Sequence, residues 1–201
     1  MKSHKLLLAA AVAAVMASCG KDDAKPEGNA SEIQGTYDFA GMSVAGISTV
    51  TVPESNEKTI TYNAYKTKEN VGSVVVDASK FVSTGMGYSI DTTVKSEYYD
   101  EGLLEDTYEL PFKATIPPAG SNVTYRLIGT DSIHFDKGFI TVPDDPNMSG
   151  ASQESGVRIA WRGDTLVMRS VFSATTTKLQ SGFTVITVFN SVQEVKLKKR
   201  K

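Results

Sequence analysis

Val157-Arg158-Ile159-Ala160-Trp161-Arg162-Gly163-Asp164-Thr165-Leu166-Val167-Met168 is the stretch that decides the fold class. Val157, Ile159 and Trp161 alternate with Arg158, Ala160 and Arg162, and successive side chains of a strand point to opposite faces. Gly163-Asp164 interrupts the run where a tight hairpin turn needs a residue tolerant of positive φ beside a short polar one. A second apolar, β-branched run starts at Thr165. Strand, two-residue turn and strand in direct succession give an antiparallel pair with one wet face.

The same pattern extends outward in both directions. Candidate strands are Ile33–Ala40, Ile47–Val52, Lys58–Tyr65, Gly72–Val76, Tyr88–Lys95, Thr107–Ile116 and Val123–Ile128. They continue with Ser132–Phe135, Phe139–Val142, Val157–Arg162, Thr165–Ala174 and Phe183–Leu197. Gly, Pro, Asn and Asp punctuate them, and no segment keeps a helical period, which predicts an all-β antiparallel barrel or a two-sheet β-sandwich. Val123, Tyr125 and Leu127 oppose Thr124, Arg126 and Ile128, and Tyr88, Ile90, Thr92 and Val94 oppose Ser89, Asp91 and Thr93. The last strand differs. Phe183, Val185 and Phe189 share one face and Ile186, Val188 and Val192 the other, which predicts a central or barrel-closing strand covered on both sides. Two longer connections are expected: an acidic loop at Ser96–Asp106 carrying Tyr98 and Tyr99, and Pro143–Gly156.

The amino-terminal end reads as an address. Lys2, His4 and Lys5 precede the uncharged run from Leu6 to Ala17, about as long as a signal-peptide core and short of the roughly 20 residues of a spanning helix. Met16-Ala17-Ser18-Cys19 resembles the lipobox of bacterial lipoproteins, and Cys19 is the only cysteine. That resemblance implies cleavage before Cys19, a diacylglycerol on its sulfur and a third acyl chain on its amino group; more than one chain is what stable anchoring requires. Cys19-Gly20-Lys21-Asp22-Asp23 resembles the Lys/Asp-rich tag of lipoproteins displayed on the outer membrane by some Gram-negative anaerobes. The expected organisation is a signal peptide over 1–18, lipidated cysteine and tether over 19–31, and a single domain over 32–201. The outer membrane is the expected location, with exposure at the cell surface left open.

Ile33-Gln34-Gly35-Thr36-Tyr37-Asp38-Phe39 resembles the first strand of lipocalin-like and calycin-like domains, which carry a glycine, any residue, then tryptophan. Gly35 and Tyr37 take those positions. Lipocalins also place a basic residue late in the barrel over that tryptophan, and no counterpart stands within Phe183–Leu197. The resemblance implies a lipocalin-like barrel, an eight-stranded cup holding a small, largely apolar ligand. Tyr88, Tyr125, Trp161 and Phe172 are the aromatic candidates for lining it, with core packing as the alternative role for each.

Composition removes other chemistry. The net charge is −2, so the domain has no basic footprint for nucleic acid. His134 is the one histidine after the signal, and with Cys19 acylated no cysteine and histidine set of three or four zinc ligands exists. Neither a metal nor another cofactor is expected. His134 lies between Ile133 and Phe135, as the polar face of a short strand does, and no serine stands in a hydrolase-type elbow. Asp100, Glu101, Glu105 and Asp106 form one acidic cluster and Asp144 and Asp145 another, which leaves an acid-pair hydrolase as the enzyme alternative. An adhesive β-domain stacking surface glycans on Tyr98 and Tyr99 is the non-enzymatic one. Oligomeric state is left open. The lipobox reading gives the first prediction: Cys19→Ala abolishes incorporation of radiolabelled palmitate and shifts the protein out of the sedimented membrane fraction, whereas retention of both would overturn it.

Overall fold

The computed structural model describes residues 33–137 and 155–201. Cys19, the tether, the strand expected at Phe139–Val142 and the acid pair Asp144 and Asp145 lie outside them. The strands are β1 (Gly35–Val52), β2 (Glu57–Lys66), β3 (Lys68–Val76), β4 (Lys80–Asp100), β5 (Leu103–Ile128), β6 (Ser132–Phe135), β7 (Ser155–Arg162), β8 (Thr165–Gln180) and β9 (Phe183–Lys199). They form a single antiparallel sheet of nine strands that closes in a ring through β1 and β9. The arrangement is one sheet, not the two of a sandwich. β2 and β3 continue one another along β1, β2 pairing with Ser43–Val52 and β3 with Gly35–Asp38.

Several strands are longer than expected. The candidates Ile33–Ala40, from Gly35 onward, and Ile47–Val52 are parts of β1, which bends rather than ends where its register with β9 shifts between Phe39 and Gly41. Such a bulge kinks a strand without terminating it. Thr107–Ile116 and Val123–Ile128 merge into β5 across Pro117 and Pro118. Prolines are tolerated there because that stretch pairs with β4 on one side only among the described residues. The expected acidic loop at Ser96–Asp106 is instead the tip of the β4–β5 hairpin. Ser96–Asp100 and Leu103–Asp106 are paired strand, and the turn is only Glu101-Gly102. Ser155 and Gly156, expected in a loop, open β7. Arg162-Gly163-Asp164 makes the hairpin turn predicted for it, with Gly163 at φ 62°.

The ring is filled at one end. Tyr37, Val74, Phe81, Ile133, Phe135, Leu166 and Leu197 are fully buried there, each inward on its strand. Phe81 meets Tyr125 and Phe135 edge to face, both at 5.0 Å between ring centroids, the geometry in which the positive edge of one ring meets the negative face of another. Tyr37 donates its hydroxyl to the carbonyl of Ile33. Tyr125 donates its own to Asp77 at 2.7 Å, so both buried phenols keep a partner. Gly72 has φ +103°, and a Cβ there would stand 2.5 Å from the carbonyl oxygen of Gly85 on β4.

Phe81→Ala is expected to lower the unfolding free energy by about 3–5 kcal/mol, as an aromatic-to-alanine change in a packed core does. Gly72→Ala is expected to cost roughly 1–3 kcal/mol through forced positive φ and the clash with β4. Urea titrations followed by the fluorescence of Trp161 measure both, and an unchanged midpoint for Phe81→Ala would contradict this packing.

Candidate functional site

Above the filled end the sheet continues without a complete ring. Besides pairing with each other, β6 and β7 reach only Tyr125–Ile128 of β5 and Thr165–Ser170 of β8. The other strands run on as a six-stranded arc in the order β5-β4-β2-β1-β9-β8. Its inner face continues the core side, because strand alternation is unbroken from the buried residues upward. On β4, Tyr88 and Ile90 are buried and Thr92, Val94, Ser96 and Tyr98 follow with the same parity.

This inner face is a trough with apolar flanks and a polar floor. Along β5 stand Tyr108, Leu110 and Phe112, opposite Ser96, Val94 and Thr92 of β4; Leu110 is 59% exposed and Phe112 45%. Along β8 and β9 stand Phe172, Ala174, Phe189, Val185 and Phe183. The rings of Phe172 and Phe189 are 5.8 Å apart and tilted. Between the flanks the floor presents Ser48, Thr59, Thr61, Asn63, Ser96 and Ser191. The Thr61 and Ser96 hydroxyls share a hydrogen bond of 2.9 Å. Charged side chains with inward parity in this half, Glu57, Asp100, Asp106 and Lys178, stand toward the hairpin tips.

The four aromatic candidates do not come together. Tyr125 belongs to the filled end. Trp161 is there too, 6.3 Å from the Tyr37 ring, with the Lys199 ammonium 5.6 Å from its own. Its indole nitrogen is buried without a hydrogen-bond partner. Tyr88 is 7% exposed and packs on Phe39 at 6.1 Å, at the boundary between core and trough. Of the four, Phe172 alone lines the trough itself. Leu110, Phe112 and Phe189 are the lining residues that the sequence reading did not select. Period-two spacing of Tyr108, Leu110 and Phe112 is the signal that marks them.

The remaining candidates are scattered. Tyr98 points inward and donates to Glu57 at 2.9 Å, whereas Tyr99 points outward and donates to Glu97 at 3.0 Å. Lys58 lies 4.4 Å from the centre of the Tyr99 ring, occupying a face that a sugar would stack on. Tyr62 and Lys95 also bond Glu97, and these three partners hold its carboxyl below the usual carboxylate range. Asp100, Glu101, Glu105 and Asp106 ring the β4–β5 tip, where Asp106 accepts from the amide of Thr107 at 2.7 Å. His134 lies on β6, accepting from Arg126 at 3.3 Å with Asp136 3.9 Å away. No group of three metal-ligating side chains converges among the described residues.

Compared with protein-family models, curated proteins and solved structures, the chain matches none.

Burial pushes the phenols of Tyr37 and Tyr88 up to about 12. An unfolded tyrosine ionises near 10. The folded state therefore holds these protons longer than the unfolded state, so their contribution is intact below pH 10 and is lost as pH rises toward 12. Phenolate absorbance at 295 nm is expected to show a late-titrating class that collapses into a single ordinary class in urea, and Tyr88→Phe removes part of it.

Proposed function

We propose that this chain is a non-enzymatic, outer-membrane-anchored lipoprotein that holds a small, largely apolar ligand in a lipocalin-like barrel. One observation carries the reading: the inner face keeps large apolar side chains open to solvent directly above a filled core. Scattered exposed apolar residues are ordinary, but a contiguous lined concavity marks a binding site. Leu110 and Phe112 on one flank and Phe172 and Phe189 on the other offer dispersion contact and edge-on ring packing to a slender apolar body.

The carboxyl-terminal end of β9 also favours a lipocalin-like relationship. Gly35 and Tyr37 occupy the family's glycine and tryptophan positions, and Lys199 stands against both. A Cβ on Gly35 would meet the Lys199 Cε at 3.1 Å, and Tyr37 pairs with Lys199 across β1 and β9. The basic residue sought within Phe183–Leu197 lies two positions beyond it. Its cation is over Trp161, whose ring adjoins that of Tyr37. Anchoring through Cys19 would set such a domain beside a membrane, the source and sink of apolar molecules.

Native mass spectrometry of the protein purified under mild conditions is expected to find a co-purifying small molecule, and Phe112→Ser with Phe172→Ser to lose it. A solid, ligand-free domain that binds no apolar fluorophore would end this reading while leaving the ring-closed sheet in place.

A further inference from the structure

Six of the eight tyrosines give their hydroxyl an acceptor within the chain. Tyr37 and Tyr125 bond backbone carbonyls, and Tyr62, Tyr98, Tyr99 and Tyr108 bond carboxylates. Tyr65 and Tyr88 bond no described residue. They lie within electrostatic reach of each other, Tyr65 adding to the upward push on the Tyr88 phenol, and both pack on the core with inward parity. Among the described residues the side-chain atoms sealed from solvent without a partner are Asn70 Oδ1 and Trp161 Nε1, and neither phenol oxygen is one of them. Two donors with no partner among the described residues thus lie where the filled core ends.

Resting on the reading above, we infer that the ligand is a neutral amphiphile whose hydrogen-bond-accepting end is held by the hydroxyls of Tyr65 and Tyr88, with its apolar body between the aromatic flanks. The donors set one end of the ligand and the surroundings set its charge. Around them the inward side chains are Val44, Asn63, Ile90 and Thr92, with Ile116 and Gln193, none ionisable. Among the described residues the inward-facing charges are remote, Glu57, Asp100, Asp106 and Lys178 toward the rim and Lys199 at the closed end. A carboxylate or phosphate brought to the phenols would lose its hydration with no cation to replace it, at a cost of several kcal/mol. A ketone, ester or alcohol oxygen carries a far smaller cost and gains two donors. Burial raises the pKa of both phenols, so at neutral pH each keeps the proton it donates.

The test uses the full chain carrying Cys19→Ala and three fluorescent probes on one naphthalene skeleton. These are prodan, which is neutral with a ketone; its analogue with the carbonyl reduced to methylene; and an analogue bearing a carboxylate in that place. Prodan is expected to bind about tenfold tighter than either analogue, the equivalent of about one net hydrogen bond. Tyr65→Phe with Tyr88→Phe should erase that preference and leave the methylene analogue within twofold. If the double variant is unstable in urea, Tyr65→Phe alone, at the half-buried position, should remove at least threefold of the preference. Equal affinity for prodan and the methylene analogue, a preserved preference in a folded variant, or tight carboxylate binding overturns the inference while the apolar site stands. Failure of every probe to bind the unsubstituted protein overturns the binding reading itself.

Discussion

The pairing of the last strand with the first is the constraint on which the rest depends. β9 runs antiparallel to β1 from Tyr37 opposite Lys199 to Thr51 opposite Ile186. Without it β1 and β9 would each present a long row of unpaired amides and carbonyls, the template for association between chains. Closure also fixes parity. Once Phe39 faces Leu197 and Met42 faces Val195, every inward position on the intervening strands is determined, since a one-residue slip would turn the core outward. The ends are tied down further: Arg200 bonds the Asp38 carboxylate, and its amide reaches Thr36 at 2.8 Å.

Legibility in the sequence tracks burial. β6 and β7 are short and inward-facing on the filled core, and alternation at Ile133–Phe135 and Val157–Trp161 placed them within two residues. Strands of the arc were truncated because their faces differ less in polarity. Ser96–Asp106 carries charge and tyrosine on both faces, so composition suggests a loop where backbone pairing makes a hairpin tip. β9 shows the converse. Its apolar residues on both faces predict a central or barrel-closing strand, and β9 closes the sheet into a ring by pairing with β1 and β8. The expected cover on both sides does not follow, for Val185, Ile186, Val188 and Phe189 are only half-buried in a single layer. β-branched residues there serve the pleated backbone as much as a core.

The site was less legible than the fold, for a geometric reason. The trough draws a few residues from each of six strands, and nothing local distinguishes Tyr65 from Tyr62. One faces inward with no partner among the described residues and the other faces outward onto Glu97, a difference of parity set by the distant β1–β9 register. Choosing aromatic residues by type therefore gathered Tyr125 and Trp161, which belong to the filled end, with Phe172, which does not. The two tyrosines of Ser96–Asp106 fared likewise: adjacent in sequence, they occupy opposite faces.

The arc is stable without being finished. Backbone ladders join each strand to its neighbours, and Thr61 with Ser96, or Ser173 with Asn190 at 2.7 Å, add cross-strand bonds. Yet its inner face buries little, so it contributes less hydrophobic free energy per residue than the filled end, at roughly 25 cal/mol for each Å² removed from water. Elements with satisfied backbone but sparse burial occupy the low end of local stability in a domain. An apolar molecule seated between Phe112 and Phe172 would supply the burial the arc lacks, and binding to the folded form alone stabilises it by mass action. On the proposed reading, ligand capture and completion of the core would be the same event: what leaves the upper half of the sheet unfinished as a fold is what would equip it to bind.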